Sequence, residues 1–127
     1  MSTRCQVIVC DSHDEVWFYH HWDGYPSAMG PLLVAFLDKV RNDTLRSNAE
    51  QSCGWLVRDN PSDATCEWKA SEFEPCAPRM HGDIEWLYRV NVATLTITMC
   101  HIAYEERVFR PLPLAQQVFV PLDISVE

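Results

Sequence analysis

Glycine is scarce in this chain, which has four glycines among 127 residues. A loop that cradles phosphate needs several glycines close together, because its backbone must approach the ligand. Here the glycines are far apart, at positions 24, 30, 54 and 82. The sequence therefore excludes a nucleotide site of the Walker or Rossmann type.

Positive charge is also scarce. Ten Lys and Arg residues stand against 18 Asp and Glu residues, which gives a net charge of −8. Affinity for nucleic acid depends on basic side chains that neutralise phosphates, so direct binding of DNA or RNA is disfavoured. A basic protein partner is compatible with this charge, because opposite fields speed the encounter. Self-association as a homodimer stays open.

Long apolar runs and tight cysteine pairs are both missing. No segment approaches the ~18 consecutive apolar residues of a membrane span. The first ten residues, MSTRCQVIVC, lack the apolar segment and cleavage site of a signal peptide, so we expect a cytoplasmic protein without membrane association. There is no CxxC pair, and we expect mostly reduced, partly buried thiols. The six cysteines are Cys5, Cys10, Cys53, Cys66, Cys76 and Cys100.

Two strands are predicted near the start of the chain. Residues 5–10, CQVIVC, and residues 15–22, EVWFYHHW, alternate with period two around the turn DSHD, so we expect a hairpin. The sequence DGYP at 23–26 ends the second strand, because proline removes a ladder donor. In that strand one face carries Val16, Phe18, His20 and Trp22, and the other carries Trp17, Tyr19 and His21.

One helix is clearly indicated. Residues Met29, Leu32, Leu33, Phe36, Leu37 and Val40 have helical spacing. Either Ser27 or Gly30 is expected to cap it, and the sequence RNDT at 41–44 ends it. The sequence SNAE at 47–50 has the form of a capping box and predicts a short helical turn. The sequence GWLVR at 54–58 is predicted to be a strand.

The second half of the chain predicts further strands. Residues 59–80 are rich in loops, with strand pieces around 66–68 and 72–74. Residues 84–92 and 94–102 should pair as an antiparallel hairpin. The tail, 103–127, is expected to add an edge strand or to wrap the domain. The sequence thus predicts a single α+β domain over 1–127, with one main helix on an antiparallel sheet.

Four segments carry a resemblance. They are Thr3-Arg4-Cys5, Tyr19-His20-His21-Trp22-Asp23-Gly24-Tyr25-Pro26, Gln51-Ser52-Cys53-Gly54-Trp55-Leu56 and His81-Gly82-Asp83-Ile84-Glu85-Trp86-Leu87-Tyr88. Over roughly residues 2–102 the chain resembles a group of short, uncharacterised proteins of phages and bacteria. The resemblance implies a context of mobile genetic elements and supplies no mechanism.

Histidine and aspartate form two His-x-Asp units, at 21–23 and 81–83. In a strand, residues i and i+2 share a face, so each unit would present an imidazole and a carboxylate together. Two units, or one with His101, would make a set of metal ligands. Without metal, the histidines with Asp23, Asp83 or Glu85 would make a proton-transfer pair. Against both readings, Asp beside Gly commonly braces a turn.

A nucleophilic site and a binding surface are the other readings. Cys53 as a nucleophile would need a histidine nearby, and a small packed side chain is the simpler role for it. Large amphipathic rings are numerous and make good interface anchors. Arg4 would hold a carboxylate in a fork. The binding surface is expected to contain Arg4, Tyr19, His21, Trp22, Asp23, Tyr25, Trp55, His81, Asp83, Glu85 and Tyr88.

We therefore expect a non-enzymatic binding or inhibitory protein, such as a phage accessory that acts on a host defence factor. Its target would be a basic, nucleic-acid-binding protein, and no cofactor is expected. The first alternative is a small metal-assisted or acid–base enzyme centred on His21, Asp23, His81 and Asp83. The second alternative is a protein that sequesters a small ligand in an aromatic pocket.

Overall fold

The computed structural model of the chain describes residues 3–58 and 73–127. The strands are β1 (Cys5–Cys10), β2 (Glu15–His20), β3 (Glu74–Cys76), β4 (Trp86–Asn91), β5 (Thr96–His101) and β6 (Val120–Pro121). The helices are α1 (Pro26–Arg41), α2 (Ala49–Ser52) and α3 (Gly54–Arg58), with a 3-10 turn at Leu114–Gln116. The predicted strand around 66–68 lies outside the described residues.

The strands form one six-stranded sheet in the order β3-β2-β1-β4-β5-β6. The hairpins β1–β2 and β4–β5 are antiparallel, as predicted from their alternating sequences. The pair β1–β4 at the centre is parallel, and every other pair is antiparallel. The α+β fold with one main helix is confirmed.

The main core lies between α1 and one face of the sheet. Alternate residues of β1 and β4 point to this face and are buried, as the two-residue period requires. Helix α1 contributes one apolar stripe, including Leu33 and Phe36. Short helices α2 and α3 close the core with Ala49 and Leu56.

The other face of the sheet is covered by loops instead of helices. Gln6 in β1 is fully buried on this face, and its amide donates to Arg79 O and accepts from His81 N, both at 2.9 Å. Gln117 holds the tail in the same way, by exchanging two hydrogen bonds with Ala103. Buried amides need such partners, so each glutamine fastens one loop to the sheet.

Three local predictions are wrong. The sequence GWLVR forms α3, because a short apolar run fits a buried helical turn as well as a strand. Helix α1 begins earlier than expected, with Tyr25 as N-cap and Pro26 in the first turn. The short helix α2 is present, but its cap is Asn48, whose side chain accepts from Gln51 N at 3.2 Å.

The link between β2 and α1 depends on close packing at Gly24. Asp23 adopts a left-handed conformation with φ of 54°, and Gly24 N then donates to Thr3 O at 2.9 Å. A Cβ at Gly24 would lie 2.8 Å from Cys5 Cβ and 2.9 Å from Thr3 O. Glycine is therefore required here by the approach of two backbones.

The tail both extends the sheet and wraps the helix, so both expectations for it are met. Strand β6 pairs with β5, and Val126 O then accepts from Ser27 N at 2.8 Å. Ile124 packs so closely on α1 that a Cβ at Gly30 would lie 2.3 Å from its Cγ2. Both edge strands are short and contain a proline, Pro75 or Pro121, which limits pairing with other chains.

Two further expectations concern thiols and membranes. The thiols of Cys5, Cys10, Cys53, Cys76 and Cys100 are free, and all except Cys76 are buried. Cys66 lies outside the described residues. In the parts of the chain that the structure describes, no helix has the length and apolarity needed to cross a membrane.

Candidate functional site

One end of the sheet gathers the two segments that contain the His-x-Asp units, 19–26 and 81–88. Cys5 is paired with His20 on one side and with Trp86 on the other, and Trp86 is paired with His101. The residues that flank these positions in the chain therefore meet there. We call this region the Cys5 end of the sheet; it comprises Arg4, Tyr19, His21, Trp22, Asp23, Glu74, His81, Asp83 and Glu85.

The centre of the Cys5 end is Tyr19. Its side chain is almost buried, and its hydroxyl donates to Asp83 Oδ2 at 2.7 Å. The same carboxylate oxygen lies 3.6 Å from Arg4 Nε. Burial, followed by the hydrogen bond to Asp83, raises the pKa of Tyr19. Tyr19 therefore stays protonated and donates. Arg4 faces the same carboxylate through one long contact, which is not the two-point fork expected for it.

Two imidazoles flank the Tyr19 ring. The His21 ring meets it edge-on at a centroid distance of 4.7 Å, and the His81 ring lies 4.6 Å away at a tilt of 40°. His81 is fixed by its backbone N–H, which donates to buried Gln6. The result is a cluster of three rings at the Cys5 end of the sheet, in which both predicted histidines contact the same tyrosine.

The adjacent histidines separate as expected from opposite strand faces. His20 is buried, and the His21 side chain is 38% exposed. The partner of His21 is Glu74 in β3, with 3.1 Å between Nε2 and Oε2. Asp23, the partner favoured by the sequence, instead accepts the Tyr25 hydroxyl at 3.4 Å. Because the chain turns at Asp23 with a left-handed backbone, His21 and Asp23 are not on one strand and do not share a face.

Several predicted site residues have structural roles. Tyr88 is fully buried, and its hydroxyl donates to Gly24 O at 2.5 Å. Trp55 stacks on Phe36 of α1 at 5.9 Å, with Lys39 Nζ 5.7 Å from its ring. These residues hold the helices against each other and against the sheet, and they do not belong to the Cys5 end.

The segment 47–57, which contains the predicted capping box and Cys53, lies at the opposite end of β1. Asp11 follows β1 directly and accepts a hydrogen bond from Ala49 N at 2.9 Å. That bond and two more from the turn lower the pKa of Asp11 to about 2. Cys53 in this segment is buried, and burial raises its pKa, which opposes a nucleophilic role.

Sequence reasoning missed two residues of the site. Glu74 pairs with His21 from a strand 53 residues away, and Gln6 positions His81 across 75 residues. Gln6 carried one signal: it is a polar residue in the middle of the apolar run CQVIVC. A buried amide in a strand must find partners, so its position indicated a loop covering that face.

The chemistry available at this site is limited by how its groups are paired. Among the described residues, no three His, Cys, Asp or Glu side chains are arranged to hold one metal ion. Burial raises the pKa of all five described thiols and of Tyr19. The arrangement therefore favours a fixed, hydrogen-bonded surface over an activated nucleophile.

Comparison with protein-family models, with curated proteins and with solved structures finds no match to this chain.

Proposed function

We propose that this chain is a non-enzymatic binding or inhibitory protein that uses the Cys5 end of its sheet to hold a protein partner. The observation that carries the proposal is the position of Trp22. Its side chain is 41% exposed, and its ring lies 5.7 Å from that of His21. Trp is the residue type most enriched among interface anchors, because it buries much area at low entropic cost.

The surroundings of Trp22 are held in place before any partner arrives. His21 is paired with Glu74, and Tyr19 is paired with Asp83. Gly24 N is bonded to Thr3 O on the other side of Trp22. A surface already ordered in its free state loses less entropy on binding, which favours affinity.

The charge around Trp22 indicates the kind of partner. Asp23 and Glu85 are exposed, and Glu74 and Asp83 are about half exposed at the side chain. Arg4 is the cation paired with this group, through Asp83. With a net charge of −8 on the whole chain, this end favours a basic protein surface. A surface of that kind is typical of proteins that bind nucleic acid.

We further propose that the target is a host protein, on the basis of the sequence resemblance to short phage and bacterial proteins alone. In that context, an acidic protein that occupies the basic groove of a nucleic-acid-binding defence factor would act as its inhibitor. The charge of the chain disfavours the alternative of direct nucleic-acid binding.

Capture from a bacterial lysate tests this proposal. We expect the wild-type chain to retain a basic protein at about 0.1 M salt and to lose it at about 1 M, where the Debye length falls to about 3 Å. Trp22→Ala and Glu85→Lys should both lose that protein. The matched controls are Val118→Ala and Asp14→Lys, which alter exposed residues that are not among those of the Cys5 end.

Three outcomes would contradict the proposal. One is retention of the captured protein by Trp22→Ala. The second is retention at high salt, and the third is equal loss in the controls. Glu85→Lys separates the charge requirement from the aromatic one, because the Trp22 ring is unchanged in that variant.

The acid–base alternative is supported by one observation, the pairing of His21 with Glu74. A carboxylate on one imidazole nitrogen orients the ring, and His21 is partly open to solvent. If this pair is catalytic, His21→Ala should abolish an activity found by substrate screening. Glu74→Gln should lower that activity without unfolding the chain. Activity that survives both changes would eliminate this alternative.

A further inference from the structure

A braced loop follows β5 and presents apolar side chains to solvent. Residues 104–111, which we call the Phe109 loop, are closed at the base by a bridge between Tyr104 and Pro111. Glu105 N donates to Arg110 O at 2.8 Å, and the two side chains form an ion pair at 3.1 Å. The loop thus has a defined shape, and its tip is held by Phe109 N donating to Glu105 O at 3.2 Å.

Phe109 at this tip is unusual in two respects, its exposure to solvent and its backbone conformation. Its side chain is 81% exposed, and its neighbour Val108 is 56% exposed. Its backbone has φ of 49°, a left-handed conformation that favours Gly or Asn. A large apolar side chain in such a position indicates a role for the ring itself, outside the fold of one chain.

The same chain has an apolar groove of suitable size. The groove lies between α1 and the β5–β6 edge and has a volume of about 260 Å³. An apolar cavity of about 150 Å³ is enough to hold benzene, so the groove accommodates a phenyl ring. Its lining includes Val34, Leu37, Leu95, Ile97 and Leu122.

We propose that the occupant of this groove is Phe109 of a second copy of the chain. A single ring in a groove buries less than the ~1,200 Å² typical of a stable interface. A two-fold dimer makes the same contact twice, with each Phe109 in the groove of the other copy, and an interface of this size gives a weak, reversible dimer. The groove is at the start of β5 and the Phe109 loop follows the end of β5. The proposed dimer therefore has the two β5 strands antiparallel, with each loop against the groove of the other copy.

The charges on the two surfaces allow this approach. The groove is rimmed by Asp38 and Arg41, which pair with each other, and the Phe109 loop carries two acidic and two basic residues. Neither surface is strongly charged, although each whole chain is at −8. Salt should therefore strengthen the dimer by screening repulsion, whereas salt weakens the partner binding proposed above.

Sedimentation equilibrium of the purified chain tests the dimer. We expect Phe109→Gly to weaken association about thirtyfold or more, as truncation of a central aromatic anchor does. Glycine suits the left-handed backbone, so this variant should fold. Val34→Glu places a charge in the groove from an exposed helix position and should weaken association as much. Ala35→Glu, one residue along the same helix, and Val118→Ala should leave it unchanged.

Three results would overturn the dimer: a monomeric wild-type chain, a dimer that both substitutions leave intact, or a dimer that only one of them dissociates. The circular dichroism of each variant shows whether the fold is retained. Because the Cys5 end is unchanged in these variants, loss of the dimer and loss of partner capture are measured separately.

Discussion

The hydroxyl of Tyr19 donates a hydrogen bond to the carboxylate of Asp83, 64 residues further along the chain, at 2.7 Å. This contact joins β2 to the loop before β4, which are not neighbours in the sheet. The contact reaches across the Cys5 end because the loop before β4 lies over the face of the sheet opposite α1. Tyr19 therefore makes one of the long-range contacts that order the proposed binding surface.

Removal of that hydroxyl should loosen the surface without unfolding it. We expect Tyr19→Phe to lower the free energy of unfolding by about 1 kcal/mol, the usual contribution of such a bond when the acceptor is partly solvated. Urea denaturation measures this. Tyr25→Phe is the control, because its hydroxyl makes an exposed bond of 3.4 Å to Asp23, and it should not shift the midpoint. Equal effects in the two variants would contradict the role of Tyr19.

The two buried glutamines should each protect one loop. Gln6→Leu leaves Arg79 O and His81 N without their partner, and we expect destabilisation of about 2 kcal/mol or more. Hydrogen exchange should rise at the His81 amide and not at the Ala103 amide. Gln117→Leu should give the reverse pattern, since Ala103 N donates to Gln117. If exchange rises at both amides in both variants, the two loops open together, and the two glutamines do not hold them independently.

Alkaline pH should destabilise the fold. Burial raises the pKa of Cys5 and of Tyr88, so the folded state holds these protons more tightly than the unfolded chain does. Their stabilisation is complete below the unfolded values, about 8.5 for Cys and about 10 for Tyr, and is lost as pH rises above them. The urea midpoint should therefore fall from about pH 8.5 upward.

The matched variant for this pH dependence is Cys5→Ala. It lowers stability at neutral pH by leaving a cavity, but it removes one thiol from the alkaline transition. The decline between about pH 8.5 and pH 10 should therefore be shallower than in the wild type. Parallel curves would mean that Cys5 does not contribute to the transition.

Three glycines should respond to alanine in a fixed order. Gly24→Ala should be the most damaging, because the new Cβ meets backbone and Cβ atoms of Thr3 and Cys5. Gly30→Ala should displace mainly the exposed side chain of Ile124, which proteolysis of the tail would detect. Gly54→Ala meets nothing within 4 Å in α3 and should stabilise by about 0.5–1 kcal/mol. A different order of thermal midpoints would contradict these packing distances.

Much of the architecture was predictable because its signals are local. The strands β1, β2, β4 and β5 follow from alternation over six residues, and α1 follows from apolar spacing over twelve. Both hairpins also follow, since short connections join neighbours in the chain. The helical state of GWLVR was not predictable, because five residues are too few to distinguish a helix from a buried strand.

The candidate site shows the same division. The sequence alone identified Arg4, His21, His81 and Asp83 as chemically notable, because charged and aromatic side chains beside turn residues have distinctive chemistry. Tertiary structure alone decided their partners: Glu74 for His21, Tyr19 for Asp83 and Gln6 for His81. Those contacts span 53 to 75 residues. The contact of His21 with Glu74 depends on the pairing of β2 with β3, whereas Asp83 and His81 lie just before β4, which pairs with β1. Local periodicity determines which face of a strand a side chain occupies, whereas the order of strands in the sheet determines which side chains it meets.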